Sequence, residues 1–279
     1  MIDLQKKYGY LSDEAWRDLL VSSSRGEARS FQLPGFPSAE IQAMFVGSSY
    51  ADALSEAFNF YKYFKSACAA RDLKFVPSLN FLDFGCGWGR FLRFFGKDIS
   101  SAGMFGVDID PDILKVCADT DVPGHFERIE PAGHLSLKDG SIDIAIAYSV
   151  FTHLPENIHL HWMKEIARVM KSGAMFALTL EPRRFLDFVA NETPKGTSGW
   201  HQGLARFSTI IPEHRRSFDD GKFVYLPTGG GAHRPSEVYG DAVVPKAYII
   251  EHWDEYFEIV EYLDDPHKFW QAVLLVRRR

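Results

Sequence analysis

The stretch Leu82-Asp83-Phe84-Gly85-Cys86-Gly87-Trp88-Gly89-Arg90 constrains this chain more than any other. The apolar run Phe81–Phe84 has the length of a buried strand, and Arg90–Phe95 reads as the start of a helix. The backbone must turn sharply between them. Gly85 permits unusual dihedrals, and Gly87 and Gly89 remove Cβ atoms where a ligand could approach the chain. A helix beginning there presents unpaired N–H groups, which favour a carboxylate or phosphate.

The same alternation of strand and helix continues beyond Phe95. Met104–Val107 reads as a second strand, and Pro111 sits in the first turn of a helix carrying Ile113, Leu114, Val116 and Cys117. His125–Ile129 reads as a third strand and Ile142–Tyr148 as a fourth. Glu156–Met170 is a helix with Ile158, Trp162, Ile166 and Val169 on one face, ended by Gly173, and Ala174–Leu180 is a fifth strand. Strands alternating with helices imply a parallel sheet covered on both faces. Phe257–Leu263 and Phe269–Val276, joined through Asp264-Asp265-Pro266, predict a terminal antiparallel hairpin.

Two segments stand outside this rhythm. Residues 1–79 hold short apolar clusters among breakers, then a helix over about Tyr50 to Asp72 that Ser49 can cap, so an N-terminal helical arm is expected before a core over 80–279. Residues 182–250 show broken periodicity and runs such as TPKGTSGW. They read as an acceptor-side lid insertion after strand five.

Lys plus Arg number 31 against 37 Asp plus Glu, a net charge of −6, which argues against a broad grip on nucleic acid. No apolar run is long enough for a membrane span, and the N-terminus lacks the apolar stretch of a secretory leader. Cys68, Cys86 and Cys117 stand far apart, so neither a disulfide framework nor a cysteine metal site is expected; a cytoplasmic setting is the default.

The glycines form GxGxG, and Arg90 stands where a dinucleotide fingerprint would place its last glycine. Asp108, 23 residues after Gly85, ends the second strand in GVDID, where a carboxylate can accept both hydroxyl protons of a ribose. Together these suggest a nucleoside-bearing ligand without a pyrophosphate across the loop. On LDFGCGWGR, GVDID, KDGSIDIAIAYSVFTHLPE and WMKEIARVMKSGAMFALTL, in that order, the chain resembles the class I S-adenosylmethionine-dependent methyltransferases over about Asn80 to Leu180. Its wider pattern is similar to bacterial members acting on glycans or small polar metabolites. The resemblance implies an α/β, Rossmann-like, doubly wound and mainly parallel seven-stranded sheet, with S-adenosyl-L-methionine as cofactor. It puts Asp83, Gly85, Cys86, Gly87 and Gly89 around the methionine part, Asp108 on the ribose and Ile109 on adenine. Many relatives carry an acid just after strand three; here Glu130 is shifted, and either it or the backbone meets the adenine amino group. Ser172-Gly173 replaces the usual proline-glycine turn before strand five.

Methyl transfer to a hydroxyl needs an acceptor held in line and a group that takes its proton. Ser149, Val150 and Phe151 come after strand four as candidates to line the methyl group's surroundings. His153 is the leading base candidate, the alternative being a packed histidine donating one hydrogen bond. Glu181, after strand five, is either a base or a holder of a substrate hydroxyl. His159 and His161 lie on different helix faces, so no shared metal is expected. Trp200, His201, His214, His233, Arg234, Tyr239 and Tyr248 of the insertion are candidates to face an acceptor. The expected partner is a small-molecule or glycan acceptor, not nucleic acid. The competing readings are a catalytically silent cofactor-binding protein of the same fold and an NAD-dependent oxidoreductase; Arg90 and the terminal hairpin count against the latter.

Overall fold

A computed structural model of the protein describes residues 2–231 and 233–279; Met1 of the expected arm and Ala232 of the expected insertion lie outside them. The chain divides into two compact units, one running to Glu130 and taking in Ser141–Ala145, the other made of Pro131–Gly140 and Ile146–Arg279.

The first unit opens with α1 (Leu4–Tyr8), α2 (Asp13–Ser24), α3 (Ala39–Val46) and α4 (Tyr50–Ala69). Ser12 caps α2 by accepting from the Ala15 amide. Ser49 does not cap α4 with its side chain; the buried Gln42 takes that role, its Oε1 accepting from the Tyr50 amide at 2.8 Å. The helix also stops short of Asp72, at Ala69. Its apolar stripe of Leu54, Phe58, Tyr61 and Cys68 is buried as the spacing predicts. A charged knot ties the arm down. Lys65 and Lys97 each place Nζ 2.8 Å from the Asp13 carboxylate, and the Tyr61 hydroxyl lies within hydrogen-bond reach of both Asp13 and Asp98.

Then come β1 (Phe81–Phe84), α5 (Arg90–Phe95), β2 (Met104–Asp108), α6 (Pro111–Asp119), β3 (His125–Arg128) and β4 (Ile142–Ala147), the last shared with the second unit. β1 pairs with β2 and β2 with β3, both in parallel. Asp110 caps α6, accepting from the Asp112 and Ile113 amides, with Pro111 next to it where its missing N–H costs nothing.

The second unit holds α7 (Glu156–Val169), β5 (Met170–Leu180), α8 (Arg183–Asn191), α9 (Gly199–Ala205), α10 (Ile211–Asp219), β6 (Val224–Leu226), β7 (Asp241–Val243), α11 (Lys246–Trp253), β8 (Phe257–Leu263) and β9 (Ala272–Arg278). Gly173, expected to end α7, instead lies at φ +81° within β5, because the helix passes into the strand at Met170. β9 runs antiparallel to both β5 and β8, with an irregularity between Ile259 and Glu261.

The seven strands take the order β3-β2-β1-β4-β5-β9-β8, the mainly parallel Rossmann-like sheet with a terminal antiparallel hairpin expected from the sequence. The order reverses between β1 and β4, the switch point beyond whose strand ends such sheets bind ligands. Residues 182–250 are not a structureless excursion. Phe185, Leu186, Val189, Leu204, Ile211, Val224, Leu226 and Val243 form their own buried cluster. Its helices are only seven to nine residues long, too short for the helical period to repeat legibly. Among the described residues no helix is long and apolar enough to cross a membrane.

Candidate active site

In the first unit, all four residues of β1 are buried, which drives the strand into the core and leaves its end to turn. Gly85, Gly87 and Gly89 take φ of +76°, +51° and +76°, the left-handed region that side chains resist. The Gly85 and Cys86 amides both donate to the Val107 carbonyl, at 2.8 and 3.0 Å, so the loop is stitched to β2. A Cβ at Gly89 would lie 2.8 Å from Val122 Cγ1, whereas one at Gly87 would meet only Phe45, at 3.8 Å. Gly89 thus serves packing, and Gly87 keeps open space above the chain.

Asp108 ends β2. Its Oδ2 accepts from the Gly87 amide at 2.9 Å and its Oδ1 from the Asp110 amide at 3.0 Å, so the backbone orients the carboxylate at the loop. Asp83 is 1% exposed, and among the described residues its Oδ2 has no hydrogen-bond partner. Burial pushes its pKa up to about 8, with Arg90 pulling down and Asp108 pushing up. An orphaned buried carboxyl oxygen beside an open glycine loop calls for a donor, and a cation such as an ammonium there would draw the group back toward its ionised form. Arg90 is bound to Glu56 Oε2 at 2.6 Å and the Ala53 carbonyl at 3.2 Å, which anchors α5 to α4. Cys86 is buried, with its thiol pushed well above the ordinary value by burial, in keeping with a packing residue. Ile109 is half-buried, and Glu130 is exposed, 3.5 Å from Arg128.

The second unit brings a different set together. Ser149, just past β4, takes φ +58°, an unusual value for a residue with a side chain. Its amide donates to Thr179 Oγ1 at 2.7 Å, and its hydroxyl accepts from Gln271 Nε2 at 3.0 Å. The same Nε2 donates to Glu181 Oε1 at 3.0 Å. Glu181 is 4% exposed, and both its Oε2 and Gln271 Oε1 lack a partner among the described residues. Burial, reinforced by the nearby Asp241 charge, pushes the Glu181 pKa up to about 8; Gln271 and Arg184 oppose it. At neutral pH Glu181 therefore carries its proton.

His153 Nδ1 lies 2.7 Å from the Gly240 carbonyl. A carbonyl only accepts, so Nδ1 bears the hydrogen and the neutral ring keeps its lone pair on Nε2. Tyr239 stacks on the imidazole, with centroids 4.4 Å apart and planes 15° apart. Burial lowers the His153 pKa and Arg234 lowers it further, while Asp241 and the Gly240 carbonyl raise it. The net shift is downward, so the ring is neutral at pH 7.

Of the insertion candidates, Tyr239, Arg234 and Trp200 belong to this neighbourhood. Tyr248 instead donates to Glu156 at 2.6 Å and stacks on His252. His159 and His161 are not brought together: His159 is buried against Phe151 and Trp253, and His161 Nε2 lies 2.7 Å from the Gly133 carbonyl. Asp241 and Gln271 escaped the sequence reading. Each is a lone polar residue at the edge of an apolar run, Asp241 opening Asp241–Val244 and Gln271 preceding Ala272–Val276. That pattern signals a buried polar group without saying whom it meets.

Residues 82–178 match the family model described as methyltransferase domain. The chain is 34% identical over 101 residues, 33% of its own length, to the O-antigen chain terminator bifunctional methyltransferase/kinase WbdD of Escherichia coli. That alignment spans only 13% of the relative. Among solved structures, the magnesium protoporphyrin IX methyltransferase (ChlM) from Synechocystis PCC 6803 with bound SAH aligns at TM-score 0.51 and 15% identity, covering 96% of this chain and 100% of that one. An S-adenosylmethionine-dependent methyltransferase from Clostridium acetobutylicum ATCC 824 aligns at TM-score 0.53 and 12% identity, covering 79% and 91%. At these identities the structural likeness is one of fold.

Proposed function

Because residues 82–178 form a class I S-adenosylmethionine-dependent methyltransferase domain, we propose that this protein methylates a hydroxyl oxygen of a small polar or saccharide acceptor. The observation that carries the hydroxyl reading is the locked tautomer of His153: a neutral imidazole whose only basic nitrogen is Nε2, in a protein that must take a proton from its acceptor.

The residues of the first unit fit the cofactor. Asp83, with Gly85, Cys86, Gly87 and Gly89, holds the methionine part, the orphaned Asp83 oxygen taking its ammonium. Asp108 takes the ribose hydroxyls, Ile109 packs on adenine, and Glu130 or the backbone meets the adenine amino group. When bound, the sulfonium supplies an activated methyl group and a good leaving group.

The second unit does the rest. Ser149 lines the methyl group's surroundings. His153 Nε2 accepts the hydroxyl proton as the acceptor oxygen bonds to the methyl carbon. Glu181 and Gln271, with their unpartnered buried oxygens, hold further polar groups of the acceptor. A protonated Glu181 donates from Oε2 and so orients a hydroxyl, while His153 remains the better base at neutral pH. The saccharide reading draws support from the relative named as an O-antigen chain terminator, whose aligned 101 residues carry 34% identity.

Calorimetry with S-adenosylhomocysteine tests the first half: the folded protein binds it, and absence of binding rejects the reading. Asp108→Ala weakens that binding at least about tenfold, since a hydrogen bond to a charged group is worth about 1.5–3 kcal/mol; unchanged affinity rejects the role of Asp108. Transfer of a labelled methyl group to saccharide acceptors, lost in His153→Gln, tests the second half.

A further inference from the structure

Asp241 is 2% exposed, and that burial raises its pKa, while His153, Thr228 and Trp200 pull the other way and favour the charged form. Thr228 Oγ1 donates to its Oδ2 at 2.6 Å. Its Oδ1 lies 3.8 Å from His153 Nδ1. The spacing is held by the backbone. The Gly240 amide donates to the His153 carbonyl at 2.9 Å and the Ala242 amide to the Thr152 carbonyl at 2.7 Å, so Gly240–Ala242 and Thr152–His153 run as a pinned pair. The imidazole thus has one nitrogen bound to the Gly240 carbonyl, one face covered by Tyr239, and a carboxylate beside it.

We infer that Asp241 is a positioning residue for His153, holding its charge where the imidazolium forms once Nε2 has taken the acceptor's proton. This rests on the reading of His153 as the proton acceptor. A buried acid bound by a hydroxyl could serve simply to staple the insertion, but a staple gains nothing from a histidine at its side. Here the carboxylate is turned so that one oxygen takes the hydroxyl of Thr228 and the other faces the ring. Other charged and titratable groups bear on the pair. Arg234 opposes protonation of His153, Glu181 at the end of β5 feels the Asp241 charge while neutral itself near pH 7, and Tyr225 of β6 feels it too. Without Asp241, His153 loses the charge that favours its protonated form and becomes a weaker base.

The test reads His153 directly by NMR titration of histidine-labelled protein, its signal assigned by loss in His153→Gln. In Asp241→Asn the His153 pKa falls by about one unit or more, a tenfold change in its protonation equilibrium, while Asp241→Glu, which keeps the charge, restores it toward the wild-type value. The acid limb of kcat/KM against pH moves down with it, and kcat drops at least tenfold at pH 7. A His153 pKa equal in Asp241→Asn and wild type overturns the inference. A pKa that falls while kcat and the acid limb stay put leaves the Asp241–His153 coupling standing and rejects His153 as the proton acceptor. Should Asp241→Asn not fold, Thr228→Val serves in its place: removing the donor makes Asp241 harder to ionise, and the His153 pKa moves the same way; a pKa unmoved there overturns the inference equally.

Discussion

Glu181 Oε1 accepts from Gln271 Nε2 at 3.0 Å, a bond between the residue just after β5 and the residue just before β9, 90 positions later in the chain. The Gln271 amide is shared with Ser149, so three residues from three separate segments meet at one nitrogen. Glu181 Oε2 remains buried without a partner among the described residues, which makes this carboxyl group expensive to ionise.

That cost has a sign in pH. The folded pKa of Glu181 is raised to about 8 from an ordinary 4.5. Its contribution to stability is full below about 4.5 and is lost as pH rises toward 8, because the unfolded chain releases the proton first. Glu181→Gln cannot titrate. Its melting temperature therefore falls less between pH 5 and pH 8 than that of the wild type, by at least about 2 °C given roughly 2–4 °C per kcal/mol in chains of this class. Scanning calorimetry at the two pH values checks this; parallel declines in the two proteins reject a neutral Glu181.

The glycines of the loop separate by role. Gly89→Ala places a Cβ 2.8 Å from Val122 Cγ1 at φ +76°, adding a clash to backbone strain. Gly87→Ala carries only the strain of φ +51°, with its nearest neighbour at 3.8 Å. Gly89→Ala should lose about 2–4 kcal/mol of stability and Gly87→Ala about 1. Cofactor binding takes the opposite order in the folded proteins, since the new methyl group of Gly87→Ala enters the open space. Urea unfolding together with calorimetry distinguishes the two; equal unfolding midpoints contradict the packing role of Gly89.

Acid stability rests on the arm. Burial pushes the Asp13 pKa up, but Lys65 and Lys97 overcome it and hold the carboxylate down at about 2. A depressed acid stabilises the fold above its unfolded pKa, near 3.8, and that stability is lost as pH falls toward 2. The amount is on the order of 1–2 kcal/mol. Asp13→Asn should be destabilised at pH 6 and converge toward the wild type at pH 2.5. Urea midpoints at the two pH values measure it, and a difference independent of pH counts against an ionic role.

Local chemistry explains why the core is legible in the sequence. The Gly85–Gly89 turn, the Asp110 cap and the acid at the end of β2 depend on residues close in sequence, and the alternation around them dictates a sheet whose order reverses beside β1. The insertion is harder to read, because short helices do not repeat their period and their apolar faces have meaning only in the cluster around Phe185 and Leu204.

The amino-acid order alone therefore settled the parallel core, its terminal hairpin and the glycine turn after β1, since strand length, glycine spacing and capping act over a few residues. Tertiary structure alone decided the proton chemistry. His153 meets the Gly240 carbonyl across 87 positions, and Gln271 reaches Ser149 across 122. Whether a histidine or a carboxylate is charged depends on which groups surround it and how little water remains, and those neighbours are chosen by packing, not by proximity along the chain.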